Sequence, residues 1–292
     1  MKLPTLAGEE ISAEQKEMQR EAKLPYFIQK QYVRDKNLRR PGEDDYDPST
    51  LDIPKQDFEK LSAAMQQYWA VKREHYDSIL MYRFGEWYNV LYHDIEILNR
   101  LTEYNNWTAH YMTGFHENRL AKYTEILVRN GHKVVIVEQT ETSRQMMKRV
   151  EEELAKDPNA KPLKIVSRKL YAIYTSGTYF NVEQMEPDPR YILSLESDGG
   201  CTYGVVFFDV TTLHFHVEQF EDDEALTRIR TLIMSVRPVE VICERALQGS
   251  QIVRMIRNSP IVPTFTFIGA NDRCSYGTAV ESVRKHFGDN ES

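Results

Sequence analysis

An aromatic stretch, LMYRFGEWYNVLYHD at residues 80–94, constrains the fold of this chain more than any other segment. It predicts two short strands joined at Phe84-Gly85-Glu86, because glycine permits a sharp turn where a side chain would obstruct it. Its aromatic side chains are Tyr82, Phe84, Trp87, Tyr88 and Tyr92, and Arg83 adds one positive charge. Such a tip is either the buried end of a sheet or a platform for nucleic-acid bases, and these residues alone leave both open.

Composition restricts the class of protein. The 292 residues indicate two domains plus an extension, and a hydrophobic content of 41% argues against global disorder. No run of eighteen apolar residues is present, and MKLPTLAGEEISAEQ lacks the apolar core of a signal peptide, so we expect no membrane segment. The 3 cysteines fit neither a disulfide framework nor a zinc site, which favours a reducing compartment, cytosol or nucleus.

The charge is unevenly distributed along the chain. Residues 181–292 carry 10 Lys+Arg against 17 Asp+Glu, whereas residues 66–180 carry 16 against 14. The net charge of −7 therefore comes mainly from the last part of the chain. The middle part is free to approach a polyanion, but phosphate binding by this part alone should be weak.

The segmentation predicts four parts. Residues 1–60 resemble an arm, with weak helical periodicity over residues 9–24 and a basic cluster that either is solvated or contacts phosphate. Residues 61–180 form a first domain, residues 181–190 a linker rich in Pro and acidic residues, and residues 191–292 a second domain. The basic cluster consists of Arg34, Lys36, Arg39 and Arg40.

Helical and strand patterns alternate in the first domain, which predicts an α/β fold. A capping box of Thr142 and Gln145 marks the start of one helix. The predicted elements are a helix at 56–78, the hairpin at 79–92, a helix at 94–104, a loop at 105–116, a helix at 117–130, a strand at 134–138, a helix at 143–155 and a strand at 165–178.

The second domain is predicted to be a smaller α/β unit. Its strands lie within 191–197, 203–220 and 239–244, and its helices within 222–236 and 251–258. Asp209 and Glu244 each end a predicted strand, and two such carboxylates on adjacent strand ends could hold Mg²⁺ for phosphodiester cleavage. A two-metal site normally needs more acidic residues, so we expect both to be structural.

Several catalytic motifs are absent from the sequence. There is no G-x-x-x-x-G-K-[ST] for nucleotide phosphates, no H-E-x-x-H and no G-x-S-x-G. We therefore predict no catalytic residues and no metal ligands.

The order of the motifs resembles the MutS family of mismatch-repair proteins. YRFGEWYNVLYHD resembles that family's Y-[KR]-x-G-x-F-Y-E-x-[FY]-x-x-D signature, and GFHENRLAKYTEILVRNGHKVVIVEQTET resembles its G-[FI]-P…L-x-x-x-G-x-x-V-x-x-x-E-Q segment. Arg168-Lys-Leu with TSGT (175–178) resembles the end of the mismatch-binding domain. LRRPGEDDYDPSTLDIP, VEQTET and YGVVFFDV are closest to the branch called the eukaryotic sixth homologue. The likeness covers about residues 28–285.

This resemblance implies a mixed-sheet mismatch-binding domain followed by an RNase H-like connector domain. It implies binding to double-stranded DNA with mismatches, a heterodimer with a second-homologue-type MutS subunit, and a nuclear location. The family's lever, clamp and ATPase domains have no counterpart in these residues. We therefore expect a fragment with no cofactor of its own, since ATP and Mg²⁺ belong to the family's ATPase domain.

The resemblance also assigns candidate DNA-binding residues. In the family, the Phe of an F-x-E stacks on a mispaired base and the Glu hydrogen-bonds to it. Alignment on Gly85, Tyr88 and Asp94 puts Trp87 at the Phe position and Asn89 at the Glu position. The literal Phe84-Gly85-Glu86 is three residues early, so we interpret it as a coincidence. Supporting contacts are expected from Phe84, Arg83 and Met112.

Two departures from the family pattern affect this prediction. Indole offers more stacking surface than phenyl, but Asn89 carries no charge, so an altered mismatch preference is expected. His116 replaces the family proline, which leaves the conformation of its loop open. The alternative interpretation is a divergent scaffold subunit that holds its MutS partner and DNA without reading the mismatch, and a nuclease is a distant third.

Overall fold

The structure is a computed structural model that describes residue 18 and residues 21–102, 111–157, 159–179, 190–269 and 274–287. The chain divides into two compact units, Met1–Tyr174 and Thr175–Ser292. Most of the predicted linker, residues 105–110 of the predicted loop and most of the weak helical pattern at 9–24 lie outside the described residues.

The first unit contains a five-stranded mixed sheet with the order β3-β2-β1-β4-β5. Strand β1 lies antiparallel to β2 and parallel to β4, and β2–β3 and β4–β5 are antiparallel pairs. The strands are Ile79–Phe84 (β1), Trp87–Leu91 (β2), Met112–His116 (β3), Val134–Gln139 (β4) and Arg168–Tyr174 (β5).

Five helices accompany this sheet among the residues whose structure is described. They are Lys55–Lys60 (α1), Ala63–Lys72 (α2), His93–Thr102 (α3), Leu120–Arg129 (α4) and Ser143–Lys156 (α5). Short 3₁₀ turns occur at Tyr26–Ile28 and Glu117–Arg119. The predicted capping box is confirmed, because the Thr142 side chain accepts from the backbone of Gln145 and the Gln145 side chain accepts from the backbone of Thr142.

The single helix predicted over residues 56–78 is wrong. Leu61 is extended and ends α1, and the Ser62 side chain then accepts a hydrogen bond from the Met65 backbone N–H to begin α2. Serine at this position satisfies a free N–H at the start of the new helix. The apolar spacing over residues 56–78 does not reveal this break in the backbone.

The loop predicted at residues 105–116 is also wrong for its last part, since Met112–His116 is strand β3. Gly114 pairs with Asn89 of β2, and a Cβ built on Gly114 would lie 2.4 Å from Asn89 Oδ1. Glycine is unfavourable in most strands, but here the missing side chain makes room for a neighbour.

Both faces of the sheet are covered. On one face, the Tyr88 ring stacks on Phe115, whose ring meets the edge of Tyr123 from α4 at 4.8 Å. On the other face, Tyr82 and its neighbours pack against the aromatic pair Tyr68 and Trp69 of α2.

The N-terminal segment contributes to this second layer. Sequence patterns treat residues 1–60 as an arm, but Phe27, Ile28, Val33, Leu51 and Ile53 are buried in the same cluster as Trp69. The segment between them is organised by the buried Asp35, whose carboxylate accepts backbone hydrogen bonds from residues 37, 39 and 47. Residues 27–53 therefore form part of the first unit's core.

A buried ion pair joins α2 to α3 in the first unit. Lys72 Nζ lies 2.8 and 2.7 Å from the two carboxylate oxygens of Asp94, and it also donates to the Ser78 carbonyl at 2.6 Å. Asp94 accepts a further hydrogen bond from the Leu80 backbone N–H. Every ammonium proton of Lys72 has an acceptor, as a buried charge requires.

The second unit contains a mixed sheet with the order β10-β9-β6-β7-β8. Its strands are Tyr191–Ser197 (β6), Thr202–Asp209 (β7), His214–Glu221 (β8), Glu240–Glu244 (β9) and Thr264–Ile268 (β10). Its described helices are Thr227–Val236 (α6), Gln251–Arg257 (α7) and Tyr276–Phe287 (α8), with a 3₁₀ turn at Arg245–Leu247. Leucine, valine and isoleucine side chains of the sheet, α6 and α7 form one core. The predicted α/β class is confirmed.

The TSGT segment (175–178) belongs to the second unit and packs on its sheet. Glu240 is buried and accepts hydrogen bonds from the Thr175 hydroxyl, the Gly177 backbone N–H and the Thr266 hydroxyl, at 2.6, 2.9 and 2.6 Å. A Cβ on Gly177 would lie 2.5 Å from Ile192 Cγ1, so glycine allows this close approach.

No helix in the described ranges is long and apolar enough to span a bilayer.

Candidate nucleic-acid interface

The hairpin turn consists of Gly85 and Glu86, since Phe84 pairs with Trp87 across it. Gly85 has a φ of +61° and Glu86 does not have a positive φ. That combination is typical of a type II′ turn, whose twist matches that of the flanking strands. No atom lies within 4 Å of a Cβ built on Gly85, so its backbone conformation alone requires glycine.

The turn displays two aromatic side chains on one face of the sheet. Trp87 is 51% exposed and Phe84 is 37% exposed, which is unusual for rings of this size. Asn89 follows two residues after Trp87 and shares its face, while the intervening Tyr88 is buried on the other side. The structure therefore brings together three of the predicted residues, Phe84, Trp87 and Asn89.

Charged residues on the opposite face hold the hairpin in place. Arg83 Nη1 lies 2.9 Å from Glu138, and its Nη2 pairs with Glu117. The Tyr88 hydroxyl donates to the same Glu138, and Arg83 lies over the Tyr88 ring. Burial first and the Glu138 hydrogen bond second raise the pKa of Tyr88, so its hydroxyl stays protonated as a donor. These contacts, on the face opposite Trp87, brace the β1–β2 hairpin.

Arg168 of β5 packs on the aromatic face, a contact that sequence patterns did not indicate. Its guanidinium lies 4.4 Å from the Phe84 ring centroid and 5.3 Å from that of Tyr82. Its Nε donates to the Arg83 carbonyl at 2.6 Å. The sequence motif includes Arg168 but does not show its contact with Phe84. That contact depends on how the strands of the sheet pair. A cation on an aromatic face contributes about 0.5–2 kcal/mol.

His116 completes the face on the other side of Trp87. The two residues are paired between β2 and β3, and the His116 ring meets the Trp87 ring edge-to-face at 5.8 Å. His116 Nδ1 accepts from the Asn118 backbone N–H, and Nε2 lies 3.6 Å from Glu86. The residue that replaces the family proline therefore buttresses Trp87 and begins the following 3₁₀ turn.

Asn89 depends on Gly114 for its position. Because a Cβ on Gly114 would lie 2.4 Å from Asn89 Oδ1, Gly114→Ala should force the amide out of its present rotamer. We expect a stability loss of about 0.5–1.5 kcal/mol, typical of an off-rotamer side chain, and a shift of the Asn89 amide signals in NMR spectra.

The matched control for this change is Gly204→Ala on β7. That glycine also lies in a strand, but no atom approaches its missing Cβ within 4 Å. Unchanged Asn89 signals in the Gly114 variant would contradict the contact.

The remaining predicted residues lie elsewhere. Arg83 is on the face opposite Trp87 and is engaged with two carboxylates. Met112 pairs with Leu91, four residues along β2 from Trp87, or about 13 Å away, and packs against the core. In the basic cluster of the N-terminal segment, Arg39 pairs with Asp35 at 2.8 Å, while Lys36 and Arg40 are exposed.

The pair of carboxylates in the second unit does not converge. Asp209 is level with Tyr191 at the start of β6, and β6 runs parallel to β9 from Ile192 beside Glu240. Glu244 therefore lies at the other end of the sheet, about five residues or roughly 16 Å away along the strands. Among the residues with described structure, no three metal-ligating side chains cluster.

Asp209 instead stabilises the β7–β8 turn. Its carboxylate accepts from the Thr211 hydroxyl and backbone N–H and from the Thr212 hydroxyl, and these bonds lower the pKa of Asp209 to about 2. The folded pKa lies below the unfolded value, so the stabilisation is present above pH 4 and is lost as the pH falls towards 2. The stability difference between wild type and Asp209→Ala, measured by urea unfolding, should shrink between pH 5 and pH 2.5. An unchanged difference would contradict this assignment.

Two protein-family models match consecutive parts of this chain. The family model described as MutS domain I matches residues 62–183, and that described as MutS domain II matches residues 190–291. Together the two models cover most of the chain.

Similar proteins carry mismatch-repair names. The probable DNA mismatch repair protein Msh6 of Drosophila melanogaster is 33% identical over 241 residues, 79% of this chain and 20% of that protein. The human DNA mismatch repair protein Msh6 is 32% identical over 248 residues, 80% of this chain and 18% of that protein. The MutS protein of Methanococcoides burtonii is 29% identical over 64% of this chain and 20% of its own length. The chain thus spans about a fifth of the length of these relatives.

Proposed function

The chain belongs to the MutS family of DNA mismatch repair proteins, and we propose that it binds duplex DNA carrying base–base mismatches or small loops. In this proposal, the β1–β2 hairpin enters the minor groove at the mispair. An apolar side chain that inserts between bases unstacks one step, and a mismatched step resists unstacking less than a paired one.

The observation that carries the proposal is the half-exposed Trp87 at the end of a braced hairpin. Trp87 projects beside the turn, with Phe84 opposite it and His116 at its edge. The Arg83–Glu138 contact and the buried Tyr88 fix the strand beneath. A rigid ring loses little conformational freedom on binding, so its stacking energy is available for discrimination.

In this proposal, Asn89 hydrogen-bonds to the base on which Trp87 stacks. It lies two residues further along the same face, where its amide can donate or accept a hydrogen bond. A neutral hydrogen bond is about half as strong as a charge-assisted one.

We therefore expect Asn89→Glu to change the relative affinities for different mismatches by up to about tenfold, and with them the order of preference. Competition binding with G·T, A·C and single-base-loop duplexes measures this. A variant with the wild-type order of preference would contradict a base contact by Asn89.

The proposal extends to the protein from which these two domains come. We propose a MutS subunit that acts in the nucleus, pairs with a second MutS subunit of the second-homologue type, and binds ATP and Mg²⁺ in a separate ATPase domain. Its relatives with Msh6 names support this assignment, because they match 79% and 80% of the chain.

The experiment that tests the function compares the affinity of the heterodimer for matched and mismatched duplexes at a fixed salt concentration. The proposal predicts tighter binding to G·T or single-base-loop DNA than to homoduplex. The salt concentration must be stated, because phosphate contacts dominate the affinity for both duplexes.

A second candidate function is a scaffold subunit that holds DNA and its partner without reading the mismatch. The observation that favours it is an excess of acid near the turn, where Glu86 is 76% exposed and a single cation, Arg83, is shared between Glu117 and Glu138. Carboxylates repel the phosphate backbone, so a hairpin of this kind could stay outside the groove. Equal affinity for matched and mismatched duplex would favour the scaffold.

A further inference from the structure

His116 lies beside Trp87 on the same face of the first sheet. The two residues are paired between β3 and β2, and directly opposed residues of antiparallel strands project from one face. Their ring centroids are 5.8 Å apart, and the His116 side chain is 40% exposed. Whatever molecule contacts the Trp87 ring therefore also approaches the His116 imidazole.

The two ring nitrogens of His116 have different roles. Nδ1 accepts a hydrogen bond from the Asn118 backbone N–H at 3.4 Å, where the 3₁₀ turn Glu117–Arg119 begins. A ring nitrogen that accepts carries no proton, so the neutral imidazole carries its proton on Nε2. The Glu86 carboxylate lies 3.6 Å from Nε2 and favours the same arrangement, because its negative charge attracts the proton.

The Nε2–H group is available to a ligand. Among the residues that the structure describes, none accepts a hydrogen bond from it, since the Glu86 oxygen at 3.6 Å is too distant. A new acceptor therefore replaces water and not a bond within the protein. Glu86 is an exposed residue of the turn, so its side chain can turn away when another acceptor approaches.

The DNA minor groove presents acceptors that match this donor. Each base pair exposes a purine N3 and a pyrimidine O2 there, and a G·C pair adds the guanine amino group, which is a donor. An N–H donor is therefore favoured beside an A·T pair, where only acceptors face the groove. The neutral His116 ring supplies such a donor at a position fixed by two strands.

His116 and Asn89 lie in different directions from Trp87. Asn89 follows Trp87 along β2, and its partner Gly114 on β3 carries no side chain, whereas His116 lies across from Trp87 on β3. Successive bases of one DNA strand are about 3.4 Å apart along the helix axis. The His116 ring, 5.8 Å from the Trp87 ring, therefore extends beyond a base stacked on Trp87 towards the neighbouring pair.

We propose that His116 is a further specificity-determining residue, which donates a hydrogen bond from Nε2 to the purine N3 or pyrimidine O2 of the base pair next to the mispair. The contact rests on the proposed function, because it forms only when the hairpin enters the minor groove. It therefore adds to the affinity for mismatched duplex and not to the affinity for matched duplex. Proline, the residue of the family pattern at this position, has no side-chain donor.

The test compares three His116 variants of the proposed heterodimer, each bound to a G·T duplex and to the fully paired duplex. His116→Asn keeps an acceptor for the Asn118 N–H but has no donor at the Nε2 position, and His116→Phe keeps a ring against Trp87 but has no polar atom. Both should bind the G·T duplex about 2- to 12-fold more weakly than wild type, with unchanged affinity for matched duplex. His116→Gln, whose amide N–H lies near the Nε2 position, should stay within about twofold of wild type.

The three variants separate a base contact from support of the hairpin. If His116 only begins the 3₁₀ turn, the Asn variant keeps the wild-type affinity, and if it only packs against Trp87, the Phe variant keeps it. Either result, or a Gln variant as weak as the Asn variant, would contradict the proposal. The matched control is His214→Asn, which changes an exposed histidine of β8 in the second unit and should alter neither affinity.

Deletion of the acceptor on the DNA identifies the contacted base. Adenine is placed in turn at each of the four positions beside the mispair and is replaced by 3-deazaadenine, which has C–H instead of N3. Wild type should lose about 2- to 12-fold in affinity at one of these positions, and His116→Asn should lose nothing there. No loss at any position, or equal losses in both proteins, would contradict the contact.

The same measurements distinguish failure of this contact from failure of the proposed function. If wild type binds the G·T and matched duplexes equally, the proposed function and the His116 contact are both wrong. If wild type prefers the G·T duplex and His116→Asn shows the same preference, only the His116 contact is wrong.

Discussion

Trp87→Ala should remove most of the preference for mismatched over matched duplex. Trp87 is 51% exposed beside a turn that is braced from beneath, and stacking of one base on an aromatic ring contributes about 1–3 kcal/mol. The expected loss of mismatch affinity is therefore about 5- to 150-fold, whereas affinity for matched duplex, which depends on phosphate contacts, should change little. Competition binding of the proposed heterodimer with G·T and homoduplex DNA measures both quantities.

Two control variants separate stacking from general effects. Tyr171→Ala removes another exposed aromatic ring, 71% exposed on edge strand β5, and should leave mismatch preference unchanged. Trp87→Phe retains a stacking ring and should keep most of the preference. If Trp87→Ala discriminates as well as wild type, Trp87 is not the wedge and the scaffold function is favoured.

Lys72→Met should have the largest effect on stability. It leaves the Asp94 carboxylate buried without its ammonium partner, which lies 2.7 Å away in the wild type. Removal of one member of a buried ion pair costs about 3–5 kcal/mol, because the remaining charge is uncompensated. Urea unfolding of the chain, followed by tryptophan fluorescence, measures the loss, because all 3 tryptophans lie in the sequence of the first unit.

Variants of both members of the ion pair test the cause of this loss of stability. The double variant Lys72→Met/Asp94→Leu should recover a large part of the stability, since neither charge remains buried. The control Lys133→Met disrupts the more exposed pair with Asp77 and should cost less than about 1 kcal/mol. A loss below about 1 kcal/mol for Lys72→Met would contradict a structural role for the pair.

The local parts of the fold follow from nearby residues. The hairpin could be predicted because Gly85 and the aromatic residues around it lie within a few positions of one another. The start of α5 could be predicted because Thr142 and Gln145 satisfy each other's backbone. Such signals need no knowledge of distant contacts.

The parts that sequence patterns missed depend on distant residues. Strand β3 contains Gly114, whose suitability becomes clear only when Asn89 is placed beside it. The N-terminal segment resembles an arm because its apolar residues are spaced too irregularly to show the surface on which they pack. Tertiary packing decided both elements.

The site shows the same division between local and distant information. Trp87 and Asn89 could be assigned from alignment of one motif and share a face because strand side chains alternate. The same alternation puts Arg83 beneath the sheet, where Glu117 and Glu138 bind it. Arg168 is 84 positions after Phe84 in the sequence, and only the order β1-β4-β5 brings the two together.

The most direct test of the central claim is a photocrosslink from the mispaired base itself. A duplex with 5-iodouracil as the mispaired base of a G·T-type mismatch is incubated with the proposed heterodimer and irradiated, and the crosslinked residue is identified by mass spectrometry. Insertion of the hairpin predicts a crosslink at Trp87 that disappears when the same base is paired with adenine. Crosslinks of equal yield from the matched duplex, or none to residues 84–89, would contradict it.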